Sequence, residues 1–266
     1  MTEIKGFYTN HADMITDKRA RSPYPLRRYV HGAQYDAVLA YVEPGMRVLD
    51  AGCGEGTLSV MMAKKGAIVT GVDISAPNII ACQRYAREAG VEGVSFCTGD
   101  LENLAFPDDA FDLVVSSHVL EHLPNFDTGL VELMRVSKKR VVAAIPTALS
   151  VCSWVQVGHG WFYLKGLRSF FALPWGMLRT LFALVSGSEG VDETYGGADV
   201  PHVFRFPWVM KHTVRRLGFR LVEYQADSLC VPYANSLVPF LTWLNKYRRS
   251  TFLRDCGYGT LYVIEK

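Results

Sequence analysis

Residues 48–59 read VLDAGCGEGTLS: a short apolar run, an acid, and glycines at 52, 54 and 56 ahead of a helix-compatible stretch. No other feature constrains the fold as much, because a strand running into glycines and then a helix opens a βαβ unit. Glycine reaches positive φ and lets ligand atoms approach the backbone. The helix that follows offers unpaired N–H groups and a partial positive charge. Such a loop usually holds a nucleotide. The next strand, AIVTGVDIS, brings Asp73 near its end, where a carboxylate can accept hydrogen bonds from ribose hydroxyls.

The alternation continues. EGTLSVMMAKKG reads as a helix closed by Gly66, and APNIIACQRYAREAG as one closed by Gly90. VSFCTGD and FDLVVSSHV read as strands, residues near 127–139 as a helix with the basic end RVSKKR, and RVVAAIP as a fifth strand. Nearly continuous apolar strands alternating with helices predict a parallel sheet covered on both faces. The fold class is therefore α/β, doubly wound, with ligands beyond the carboxyl ends of the strands. Gly52, Asp73, Asp100 and His118 all fall there. After Pro146 the rhythm breaks: 147–200 is rich in Trp, Phe, Leu and Gly and has no clear strand signal. A helix in FPWVMKHTVRRLGF, a strand RLVEYQAD, a second irregular segment at 228–257 and a last strand GTLYVIEK follow.

The glycine spacing is G-x-G-x-G followed by Thr57, which departs from the dinucleotide fingerprint G-x-G-x-x-G/A, and no Gly-Lys-Ser/Thr ending marks a triphosphate loop. Asp50 sets a negative charge where a pyrophosphate would lie, whereas a ligand with an amino group and a sulfonium tolerates it. Asp100, in CTGDLENLAF, either accepts from an exocyclic adenine amine with Leu101 beside the ring or caps a turn. The formal net charge of +2 lacks the basic excess of a dedicated nucleic-acid binder. Six cysteines, at 53, 82, 97, 152, 230 and 256, form none of the close pairs of a zinc site. Reduced thiols and an N-terminus without an apolar core fit a cytoplasmic protein. FFALPWGMLRTLFALV carries Arg179 and SLCVPYANSLVPFLTWLN carries Pro232, Asn235 and Pro239, so neither is expected to cross a membrane.

VLDAGCGEGTLS, GVDIS, TGDLENLAF and FDLVVSSHVLEHLPN, occurring in this order, resemble the class I S-adenosylmethionine-dependent methyltransferases, in the small-molecule branch that includes quinone and natural-product enzymes. The similarity covers 45–146 and, more weakly, 202–219. It implies a Rossmann-like seven-stranded sheet whose last strand is antiparallel, with RLVEYQAD and GTLYVIEK as strands six and seven and with helical cap insertions. It also implies a division into an N-terminal helical cap (1–44), a cofactor-binding core (45–146), a substrate-cap insertion (147–200) and the rest of the core (201–266) with an insertion near 228–257. The cofactor implied is S-adenosyl-L-methionine, leaving as S-adenosyl-L-homocysteine. By the same resemblance Gly52 and Gly54 admit its methionine portion, and Asp50 orients that loop or the ligand amine. Asp73 binds the ribose diol with Ile74 against the adenine, Asp100 and Leu101 hold the adenine edge, and Ser117 and His118 line the methionine end.

Among the histidines, HVLEH (118–122) fits the H-x-x-E-H zinc pattern, but Pro124 leaves too short a helix for two ligands on one face, so no metal is expected. His122 has two readings: a base that takes the acceptor's proton, or a group that fixes its loop. His202 is read as supporting the sheet edge. His159, between glycines, is read as a weak catalytic candidate on a mobile loop, and His11 and His31 as others able to reach a substrate.

The expected reaction is methyl transfer to a small organic acceptor, first to the oxygen of a natural-product-like, sugar or ring-bearing hydroxyl. No N-P-P-Y-type run favours amino methylation, and no nucleic-acid partner is expected. The aromatic cap suits an apolar acceptor, although its side chains are expected mostly to pack the cap's own core or a homodimer interface. Lys165, Arg168 and Arg179 interleave with apolar residues as on a helix lying at a membrane surface, which supports the alternative of a lipid-linked or quinone-like acceptor. From other classes, a non-catalytic cofactor-binding module and an NAD-dependent oxidoreductase stand as rivals.

Overall fold

The computed structural model describes residues 3–9, 19, 21–193 and 202–266. Its helices and strands, numbered here in chain order, begin with α1 (Glu3–Thr9) and α2 (Pro25–Leu39). The α/β alternation follows as β1 (Arg47–Ala51), α3 (Thr57–Lys64), β2 (Ile68–Asp73), α4 (Ala76–Glu88), β3 (Val94–Thr98), β4 (Phe111–Ser117), α5 (Phe126–Val136) and β5 (Ser137–Pro146). Then come α6 (Val151–Val157), α7 (Leu167–Val185), β6 (Gly190–Asp192), β7 (Val203–Arg205), α8 (Pro207–Arg216), β8 (Arg220–Ala226), α9 (Val238–Leu244) and β9 (Gly259–Glu265).

The central strands are apolar because both of their faces are covered. Val48 and Leu49 of β1 are wholly buried, as are Val114 and Val115 of β4. On one face α5 and α8 supply Leu130, Leu133, Met134, Met210 and Val214 to the core. On the other, α2 and α3 supply Ala37, Val38, Leu58 and Met62. The seven-stranded sheet has the order β3-β2-β1-β4-β5-β9-β8. Its first five strands are parallel, and β9 runs antiparallel to both β5 and β8. β1 lies between β2 and β4, so the loops leaving β1 and β4 diverge and open a crevice at their carboxyl ends.

α5 ends three residues before 139, where the basic run RVSKKR places its end. It ends at Val136, and β5 begins at Ser137. The strand claims Lys138, Lys139 and Arg140 because β4 and β9 extend that far: Phe111 pairs with Ser137, and Arg140 with Glu265. Arg140 then bonds the Glu265 carboxylate at 2.8 Å. A short strand pair, β6 with β7, also lies where no strand was expected; it holds only three residue pairs, too few to show in the apolar pattern. The cap elements α6, α7 and α9 pack with α2 around a separate core that includes Leu26, Val30, Val155, Phe162, Ala172 and Leu241. No helix among the described residues is long and apolar enough to cross a membrane.

Candidate active site

After β1 the chain turns through the glycines. The N–H groups of Gly52 and Cys53 both donate to the Val72 carbonyl, at 2.7 and 2.9 Å, which ties the turn to the end of β2. The two leading glycines are required for different reasons. Gly52 has φ +83°, and a Cβ there would lie 2.5 Å from the Val119 methyls. Gly54 has φ +53° but open space in front of its α-carbon. Asp73 closes the turn, one carboxylate oxygen accepting from the Gly54 N–H at 2.8 Å and the other from the Ser75 N–H at 2.9 Å. Asp50 is buried and accepts from the Ser59 hydroxyl at 2.5 Å. Burial lifts its carboxyl to about 6, with the neighbouring Asp73 adding to the rise and the Ser59 bond opposing it.

Asp50, Gly52, Gly54 and Asp73 line a cavity of 330 Å³ together with Ile74, Asp100, Leu101, Ser117, His118 and His122. Asp100 does two things at once. One oxygen accepts from the Glu102 N–H at 3.0 Å, the turn-capping bond, and the other takes the Lys5 ammonium of α1 at 2.5 Å. Lys5 also reaches Glu102 at 2.5 Å, so α1 is fastened over the cavity at the Asp100 edge.

His118 leaves the end of β4 with φ +56°. Its Nε2 lies 2.8 Å from the Asp227 carboxylate, and its Nδ1 is 3.6 Å from Glu121. Burial by itself would lower its pKa. The bond to Asp227 and the ion pair with Glu121 outweigh that and raise it to about 9, so the ring carries a proton at neutral pH. Asp227 also accepts from the Gly259 N–H at 2.8 Å and the Ser228 hydroxyl at 2.9 Å. The Gln34 amide nitrogen of α2 sits 2.8 Å from His118 and 3.2 Å from Asp227. Four separate chain regions thus meet at the His118 ring.

The zinc pairing of H-x-x-E-H does not form. Leu120–His122 is a single 3₁₀ turn, and His118 faces Asp227 instead of converging with His122. His122 stacks on His202, with centroids 4.7 Å apart and planes 27° apart, and lies 5.5 Å from the Tyr8 ring of α1. Its Nε2 is 4.0 Å from Glu121. Glu121 is buried, which would raise its carboxyl, yet His118 holds it below the usual range. Glu121, His122 and His202 each offer a ligand atom within 4.8 Å of the others. Stacked imidazoles, however, direct their in-plane lone pairs along nearly parallel planes, so holding an ion would require one ring to rotate.

His202 corrects the sequence reading. It does not support the edge of the main sheet, whose outer strands are β3 and β8. It precedes β7, which pairs with β6, and it lines the cavity against His122. The pairing of β7 with β6 carries it there, and no local pattern records that. His159 lies outside the cavity: it is exposed at the end of α6 with φ +65°. Its turn is packed, since Cβ atoms at Gly158 and Gly160 would both collide with Ala172. His31 does line the cavity and bonds Gln34 at 2.9 Å, and burial pushes its pKa well down. His11 lies outside the described residues. Sequence reasoning missed Lys5, Tyr8, Gln34, Gln156 and Tyr258 as wall residues. They come from helices and strand ends outside the glycine motifs, and only packing gathers them.

Residues 42–156 match a family model described as "Methyltransferase domain". Among curated proteins, a ubiquinone biosynthesis O-methyltransferase of Maricaulis maris is 35% identical over 132 residues, covering 49% of each chain. A malonyl-[acyl-carrier protein] O-methyltransferase of Serratia marcescens is 34% identical over 141 residues, covering 53% of each. The chain thus spans about half the length of these two relatives. Among solved structures, magnesium protoporphyrin IX methyltransferase from Synechocystis PCC 6803 with bound S-adenosylmethionine superposes with a TM-score of 0.59 at 17% identity, covering 100% of this chain and 98% of that one. At that identity the likeness concerns the fold.

Proposed function

From the premise that residues 42–156 form a class I S-adenosylmethionine-dependent methyltransferase domain, we propose that the chain moves a methyl group to a hydroxyl oxygen of a small, ring-bearing acceptor, with His122 receiving the hydroxyl proton. The observation that carries this reading is that His122 stands on the wall of the same cavity as Gly52, Gly54, Asp73 and Asp100. The relatives named above, both O-methyltransferases, support the choice of oxygen.

The donor set fits the cofactor. Two carboxylates, Asp73 and Asp100, and two apolar side chains, Ile74 and Leu101, border one cavity, as a ribose diol and an adenine ring require. The bare backbone at Gly54 leaves room for the amino-acid portion, near Asp50, Ser117 and His118. When bound, the cofactor supplies a methyl group on a positively charged sulfur, a strong electrophile.

The protein's task is then to align the acceptor, exclude water and hold a proton. His122 takes that proton, and the Glu121 carboxylate stabilises the imidazolium electrostatically. His202 and Tyr8 form aromatic walls against which an acceptor ring packs. The segments 147–200 and 228–257 serve as the acceptor cap. Free thiols at all six cysteines, including Cys53 and Cys82 with sulfurs 3.9 Å apart, suit the cytoplasm.

Calorimetry and turnover test the proposal together. His122→Ala should lower kcat by about 10²-fold or more while leaving the affinity for S-adenosylhomocysteine unchanged. Asp73→Ala should abolish cofactor binding. Unchanged turnover in His122→Ala would remove it as the base.

A further inference from the structure

Helix α7 is built inside out. The stripe it buries consists of small residues, Ser169, Ala172, Gly176, Thr180 and Ala183, while its bulky apolar residues face outward. Leu167 is 76% exposed, Phe182 74% and Val185 79%, with Phe170, Phe171, Trp175, Leu178 and Leu181 also exposed. The small stripe lets α7 lie directly on α6: a Cβ at Gly176 would collide with the Trp154 carbonyl. In water the opposite arrangement is the stable one, with the large side chains inside. Within the cap, Val155, Phe162, Tyr163 and Ala172 do pack a core of its own, whereas the large apolar residues of α7 lie outside it. Small-side-in, large-side-out is the packing of helices surrounded by lipid. A second exposed apolar group lies on and around α9: Leu237, Phe240, Trp243 and Tyr247, with Phe252 at 89% exposure farther along. The two groups belong to one unit, because Tyr233, ahead of α9, donates its hydroxyl to the Ser169 carbonyl of α7, and Asn235 bonds the Tyr163 carbonyl.

The charge within α7, α9 and the segments entering them has one sign, and the exposed carboxylates Glu189 and Asp192 follow beyond the C-terminal end of α7. No carboxylate occurs between Glu132 and Glu189, nor between Asp227 and Asp255, whereas Lys165, Arg168, Lys246 and Arg249 are present and exposed. A two-fold contact with a second copy would bring like charges together. An anionic headgroup layer would neutralise them, and Trp and Tyr suit its boundary with the acyl chains.

We propose that the outward faces of α7 and α9 dock this protein on an anionic lipid bilayer, from which an apolar, ring-bearing acceptor enters the cavity. The docking stands without the methyl-transfer reading; only the origin of the acceptor rests on it. α6 links the two places: α7 packs on it from the outside, and its Gln156 lines the cavity. With no helix long and apolar enough to span, the contact is peripheral.

Vesicle flotation without cofactor tests the docking separately from catalysis. The wild type should float with phosphatidylcholine vesicles containing phosphatidylglycerol and less with phosphatidylcholine alone. Phe170→Glu with Phe182→Glu should lower the partition constant at least about tenfold, and Lys165→Glu with Arg168→Glu on the order of tenfold for the anionic vesicles only. Neither pair touches the cavity, so circular dichroism and S-adenosylhomocysteine affinity should match the wild type. Failure to float on either vesicle, or undiminished flotation of both variants, overturns the proposal. A dimer in light scattering that Phe170→Glu with Phe182→Glu dissociates, with no flotation, would give the surface to a second copy instead.

Discussion

His118 is held toward its protonated form by Glu121, three residues on, and by Asp227, more than a hundred residues away along the chain. Its folded pKa of about 9 stands above the ordinary 6.5, so the proton-linked stabilisation is fully present below 6.5 and is lost as pH rises through 9. Its size is on the order of 3 kcal/mol. Thermal melts of the wild type should therefore fall in Tm across that window, and His118→Gln should be less stable at its acid end and flatter through it. A parallel slope in the variant would show that other groups carry the dependence. The glycines allow a second test at this scale. Gly52→Ala meets both Val119 and a left-handed φ, whereas Gly54→Ala meets only the φ, a cost of about 1–2 kcal/mol. Gly54→Ala should keep most of its stability and lose cofactor affinity, because its methyl enters the cavity, while Gly52→Ala should lose stability outright. Melting curves beside calorimetry separate the two. That Gly52, Gly54, Asp73 and His122 line one cavity was readable in advance from their positions relative to strand ends. The place of His202 was not, because its stacking on His122 depends on where β7 packs.

Individual elements show where periodicity informs and where it misleads. The strands β1, β2 and β4 and their helices are legible because burial on both faces imposes unbroken apolar runs. α7 is equally apolar, but its outward orientation is invisible in composition; only the small stripe Ser169, Ala172, Gly176, Thr180 and Ala183 records which side meets α6. Gly176→Leu should consequently separate α7 from α6 and lower Tm, with a loss of roughly 2 kcal/mol or more from overpacking. Leu178→Ser, on the exposed face, should move Tm hardly at all in detergent-free buffer. If the two variants melted alike, the assignment of faces would be wrong.

For the molecule as a whole, β9 is the closing piece. It pairs with β5 over seven residues, Arg140 to Pro146, and with β8 on its other side. Glu265, at its end, gathers Arg140 and Arg220. Deleting 259–266 should leave two unpaired edges beside a buried face and give an aggregated product, read as loss of soluble expression.

The sequence by itself determined the α/β alternation and the glycine–acid set at the strand ends, because those follow from local periodicity and from backbone conformations that few residues adopt; the seven-strand plan came with the family resemblance. Only the tertiary structure decided that His118 pairs with Asp227 and Glu121, that His202 joins His122, and that α7 turns its largest side chains outward. Each of these depends on contacts between segments far apart along the chain, where desolvation, ion pairing and close packing act on positions that no local pattern records.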